Sequence, residues 1–105
     1  MKSGYVVRPR AIQDLEEHSY YLAREANPDT GHNFLVAAHK MFALFAAHPE
    51  MGWRFQLKYS SLTSLRVFRI SGFEKMLVLY IPAESQVEIV RVIHGSRNLP
   101  ALLRG

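Results

Sequence analysis

The residue pattern is that of an α+β protein: an N-terminal strand, an α-helical hairpin, then a three-stranded antiparallel meander covered on one face by the helices. Three observations carry this reading. Between Pro9 and His48, apolar residues recur at three- and four-residue steps, the period of a helix face. After Ser64 the pattern changes to short β-branched runs separated by the turn-like "SGFEK" and "PAESQ". Between them, the Asn27-Pro28 step divides the helical half with no room for a long loop, so two helices fold back on each other.

In chain order, "GYVVRP" reads as a first strand ending at Pro9. The first helix runs from Pro9 to Ala26. Pro9 suits its first turn, where the missing N–H has no partner to lose. Ile12, Leu15, Leu22 and Ala26, with Ser19 and Ala23, mark its apolar face. Asn27 and Pro28 then serve as N-cap and first residue of the second helix. Its stripe is Phe34, Ala38, Met41, Phe45 and His48, widened by Leu35 and Phe42, and "HPEMG" ends it. "RFQLKY" is a loop or a short edge segment. Ser64–Ile70, Met76–Ile81 and the run "VEIVRVIH" are the meander strands, and "NLPALL" has room for one terminal helical turn at most. Along the last strand, simple alternation puts Val87, Ile89, Arg91 and Ile93 on one face and Glu88, Val90, Val92 and His94 on the other. One sheet face then packs on the helices, and the other is free to display arginines around Tyr80 or Phe68.

The 105 residues form a single domain, 1–105, and at 49% hydrophobic they suffice for a core. With no cysteine, disulfides and thiolate metal sites are excluded. No apolar run approaches the roughly 20 residues of a membrane span. "MKSGYVVRPR" lacks a signal-peptide core, so a cytoplasmic protein is expected. Among five histidines no His-x-x-x-His spacing occurs, so no metal and no other cofactor is expected. Charge is uneven. Residues 1–52 hold five Lys/Arg against six Asp/Glu, whereas residues 53–105 hold eight against three, a net +5. That half is the candidate for an anionic partner. Arginine suits such a role because its planar fork donates two parallel hydrogen bonds to phosphate or carboxylate.

"RPRAIQDLEEHSYYLA", "HPEMGWRF" and "VEIVRVIHGSRNL", in this order, resemble the RelE/ParE superfamily of type II toxin–antitoxin toxins over almost the whole chain. The strongest markers are Ala11, Asp14 and Leu15, the Pro49/Gly52 pair, and "RVIHGSR". The resemblance is closest to the ParE branch. It implies a toxin that inhibits DNA gyrase and is neutralised by a cognate antitoxin. The alternative it implies is a RelE-like endoribonuclease that cuts mRNA on the ribosome. For that chemistry Lys58, Arg66 and Arg97 match basic positions and His94 is the possible proton carrier. Gln56 stands where a second lysine is expected, and "NLPALLRG" offers neither tyrosine nor histidine, so the catalytic set is incomplete. For a gyrase toxin, Arg66, Arg69, Arg91 and Arg97 are the target-binding candidates. Tyr20, Tyr21, Leu35 and Phe42, off the main helical stripes, are the antitoxin-binding candidates. Oligomerisation through the antitoxin is compatible with this reading.

Overall fold

The computed structural model describes residues 4–55 and 64–96. Its elements are β1 (Gly4–Val7), α1 (Pro9–Glu25), α2 (Pro28–Ala47), β2 (Trp53–Arg54), β3 (Arg66–Ile70), β4 (Phe73–Pro82) and β5 (Gln86–His94). The five strands form one mixed sheet in the order β1-β5-β4-β3-β2. The predicted meander is its antiparallel centre. β1 adds a parallel edge beside β5, with Tyr5 opposite Val87. β2 adds an antiparallel edge beside β3. It begins at Trp53, just ahead of the "RFQLKY" segment, of which Arg54 and Phe55 are described; Gln56 to Tyr59 and the "NLPALL" turn lie outside the described residues. Among the described residues no helix is long and apolar enough to cross a membrane.

The hairpin forms as its signals require. Pro9 opens α1, and Asn27 caps α2 by accepting the Thr30 N–H at 2.9 Å. The helices cross closely at Gly31, where an added Cβ would lie 2.5 Å from the Ser19 carbonyl oxygen. The α1 stripe differs from simple hydrophobicity. Ala11, Asp14 and Leu15 are buried, while Ile12 is 46% exposed. A small residue and a carboxylate face the sheet because the carboxylate has partners there, described below. Phe34, Ala38, Met41, Phe42 and Phe45 of α2 pack with Val78, Tyr80, Val87, Ile89 and Val92 in one core.

Turn chemistry shortens the β3–β4 connection from the predicted five residues to two. Ile70 already pairs with Phe73, and Gly72 takes the φ of +88° that the turn demands. The face pattern of β5 also departs from alternation. Tyr80 pairs with Ile89 but Leu79 pairs with Arg91, so a β-bulge places one extra residue in β5. Val87, Ile89 and then Val92 face the helices, while Val90 and Ile93 join Leu65 and Leu79 on the opposite face. That face is apolar, with Val67, Leu77 and Ile81 alongside, and does not display arginines around Tyr80 or Phe68. Tyr80 is fully buried in the helix-side core, and Phe68 packs against that core.

Candidate functional site

The buried carboxylate takes up the edge of β5 beyond the end of β1. β1 ends at Val7, opposite Ile89, and the chain turns into α1, with the Arg8 N–H donating to the Ile89 carbonyl. Past that point β5 has no strand on the β1 side, while β4 still pairs with its other edge. Asp14 accepts the Val92 N–H at 2.9 Å, and His18 Nε2 donates to the Val92 carbonyl at 2.9 Å. One turn of α1 thus supplies both hydrogen bonds that a longer β1 would have made. The bulge brings Arg91 to the same carboxylate, with Nε and Nη2 donating at 2.7 and 3.1 Å. Arg10 adds a contact at 3.0 Å. Arg91 is therefore committed to the interior of the fold, its side chain 12% exposed.

A second knot lies at the other end of the sheet. The Tyr80 hydroxyl donates to the Pro49 carbonyl at 3.0 Å and accepts the Gly52 N–H at 2.8 Å. Arg66 Nη1 donates to the carbonyls of Gly52 at 2.7 Å and Glu50 at 3.3 Å. A Cβ at Gly52 would stand 2.6 Å from the Tyr80 hydroxyl, so the Pro49/Gly52 pair is where the chain leaving α2 is pinned to the sheet. Burial pushes the Tyr80 hydroxyl above its ordinary pKa of 10.0, opposed by the Gly52 N–H and the Arg66 charge. Pro49, Glu50, Arg54, Ser64, Arg66 and Pro82 line a pocket of about 220 Å³ beside this knot.

His94 ends β5 opposite Met76. Its Nδ1 accepts from the Ser96 hydroxyl at 2.8 Å and from the Ser96 N–H at 3.2 Å. In the neutral ring the proton then sits on Nε2. Gly95 follows because its N–H closes on the Lys75 carbonyl at 2.6 Å, where a Cβ would crowd that oxygen at 3.3 Å.

The sheet register separates these groups. Arg66 pairs with Tyr80 and His94 with Met76, so they stand on opposite sides of β4 and four residues apart along it. Two strand spacings and four residue rises put their backbones roughly 16 Å apart. Arg66 and His94 do not share one small site. Lys58 and Arg97, the other two members of the ribonuclease candidate set, lie outside the described residues.

Arg69, Trp53 and Phe68 form a further cluster. The Trp53 ring stacks on Phe68 at 5.1 Å between centroids, and the Arg69 guanidinium carbon lies 5.7 Å from the Trp53 centroid. Sequence reasoning missed Trp53, which stands just ahead of the segment left open as a loop or edge. The signal was an aromatic directly before Arg54.

The hairpin divides the antitoxin candidates. Tyr20 and Tyr21 are 65% and 60% exposed, and Arg24 lies over the Tyr20 ring. Leu35 lines an open apolar groove on α2 with His32, Val36, His39, Lys40 and Ala43. Phe42 does not belong with them. It is fully buried, edge-on to Tyr5 and His39, so the widened stripe is core at that position.

The family profile described as "ParE toxin of type II toxin-antitoxin system, parDE" matches residues 5–99. Among solved structures, the fold is similar to a chain of the chromosomal ParDE toxin–antitoxin system from P. aeruginosa. The TM-score is 0.72 at 10% identity, covering 88% of this chain and 95% of that one. Comparison with curated proteins gave no match.

Proposed function

The chain belongs to the ParE toxin family of type II toxin–antitoxin systems, and from that premise we propose that it inhibits DNA gyrase in the cytoplasm and is neutralised by a cognate antitoxin. The observation that carries the choice of target is the separation of Arg66 from His94 across β4. Phosphodiester cleavage by a 2′-OH needs a phosphate ligand and a proton carrier on the same few atoms. Arg66 is tied to two carbonyls and His94 to Ser96, each facing its own end of the sheet. A toxin that works by binding needs no such convergence. It needs a rigid charged surface, and the β2–β3 edge with Arg54, Arg66 and Arg69 offers one.

The antitoxin is read as covering the hairpin. Tyr20, Tyr21 and Leu35 supply accessible apolar area, and the +5 half steers an acidic, partly disordered segment during association. Nanomolar affinity or better is expected, with association slowing as salt rises.

Purified protein added to gyrase, relaxed plasmid and ATP should abolish supercoiling and accumulate linear DNA. Mapping mRNA 5′ ends within minutes of induction tests the competing chemistry in the same cells. Intact supercoiling at saturating toxin, together with codon-positioned cuts, would replace gyrase by the ribosome as target.

A further inference from the structure

We propose that the β2–β3 edge is a stacking site for an unpaired nucleobase, with Trp53 as the platform and Arg54 and Arg69 as ligands for the flanking phosphates. The site reaches beyond gyrase inhibition, because it assigns the toxin its own contact with nucleic acid whatever the target enzyme.

The indole is mounted. Trp53 is 53% exposed, yet its ring is backed by a continuous aromatic column into the core. Trp53 stacks on Phe68 at 22° between planes, Phe68 meets Phe45 edge-on at 6.2 Å, and Phe45 stacks on Tyr80 at 4.2 Å and 10°. A ring held flat from behind loses little freedom when a second ring covers its outer face, so binding there is preorganised.

Among the described residues, the arginine beside the indole leaves that outer face clear for such a ring. The Trp53 centroid, the Phe68 centroid and the Arg69 guanidinium carbon form a near-equilateral triangle with sides of 5.1, 5.7 and 5.3 Å. A guanidinium lying on the outer face of the indole would be far more distant from Phe68. Arg69 therefore sits beside the ring pair and leaves the exposed face to a ligand, while its charge stands where a phosphate would follow a stacked base.

Among the described residues the charge near the platform is mainly positive, with Glu50 the acidic residue in the pocket that Arg54 and Arg66 line. Arg54 is exposed at the next residue, and Arg66 pairs directly opposite it. Among the described residues the ion pairs are Arg8–Glu88, Arg10–Asp14 and Arg91–Asp14, none of which uses Arg54, Arg66 or Arg69. Aromatic platforms interleaved with arginines bind single strands with little sequence preference, since every base has a π-face. A duplex keeps its bases stacked on each other and cannot offer one to Trp53. An acidic peptide would satisfy the arginines but would leave the indole uncovered.

Trp53 is the only tryptophan of the chain, so its fluorescence reads this position alone. The full-length toxin is titrated at low salt with oligothymidylate, oligouridylate, a duplex of equal phosphate number, and polyglutamate. Saturable quenching by the single strands, absent with polyglutamate and weak with the duplex, is expected; a preference between the DNA and RNA strands identifies the source. Binding of a labelled single strand, followed by anisotropy, should weaken about 5- to 150-fold in Trp53→Ala. Trp53→Phe should retain most of the affinity, and Arg69→Ala should flatten the salt dependence. All three variants keep the core residues in place, and circular dichroism checks their folding. No quenching at tens of micromolar strand, equal quenching by polyglutamate, or wild-type affinity in a folded Trp53→Ala would each overturn the assignment. The polyglutamate result would make the edge a protein-docking surface.

Discussion

Removing the carboxylate of Asp14 should be among the most damaging single changes in this chain. Asp14 is 2% exposed and receives the Val92 N–H, two bonds from Arg91 and a contact from Arg10. Asp14→Ala leaves a guanidinium that is 12% exposed without its counter-charge and a buried N–H without an acceptor. Breaking a buried pair from one side costs about 3–5 kcal/mol, because the remaining charge is stranded in a poorly solvated site. Domains of this size have about 5–15 kcal/mol in total, so half the stability can be lost. At about 4–8 °C per kcal/mol, the melting temperature falls by at least roughly 12 °C. Asp14→Asn keeps an oxygen for Val92 and should lose less.

Urea denaturation of the wild type, Asp14→Ala, Arg91→Met and the double variant closes a thermodynamic cycle. Most of the penalty should disappear in the double variant, since removing both charges leaves none stranded. A single-variant loss below about 1 kcal/mol would refute the reasoning, because losing either bond alone should cost at least that. So would strict additivity in the cycle, which would mean that the two side chains do not sense each other.

Tyr80→Phe removes the hydroxyl that joins Pro49 to Gly52 and should cost about 1–3 kcal/mol in urea melts. Because burial raises the Tyr80 pKa, the native state holds this proton longer than the unfolded chain. Its contribution is therefore complete below pH 10.0 and is lost as pH rises beyond it, a slope that Tyr80→Phe should reduce. Gly31→Ala would gain about 1 kcal/mol from helix propensity on an open helix. Here it should destabilise, by about 1–3 kcal/mol, since the new Cβ meets the Ser19 carbonyl at 2.5 Å; a stabilised variant would mean the helices separate easily. Phe42→Ala should cost about 3–5 kcal/mol, whereas Tyr20→Ala and Tyr21→Ala should stay within about 0.5 kcal/mol and instead speed antitoxin dissociation. Equal stability losses at all three positions would place the tyrosines in the core.

The helical hairpin and the meander were legible because their signals are local. Asn27-Pro28 encodes a cap and a stop within two residues, and Phe34, Ala38, Met41 and Phe45 repeat with the helix period whatever they pack against. What was not legible depends on partners distant in the chain. The bulge in β5 has no residue of its own that announces it. Val90 and Arg91 would continue an alternating strand equally well, and only the bond from Arg91 to Asp14, 77 residues away, draws the pattern out of phase. The same bond takes Arg91 away from the binding surface to which its place in the basic half of the chain points. Sequence charge counts Arg91 with Arg66 and Arg69, but a guanidinium neutralised inside the fold contributes almost nothing to an external field. Once Arg91 is set aside, the exposed positive charge among the described sheet residues moves toward the β2–β3 edge. There Trp53 stands exposed on a two-residue strand that no periodicity could have marked. The candidate site was hidden for the same reason as the bulge: both are set by what long-range pairing consumes and what it leaves over.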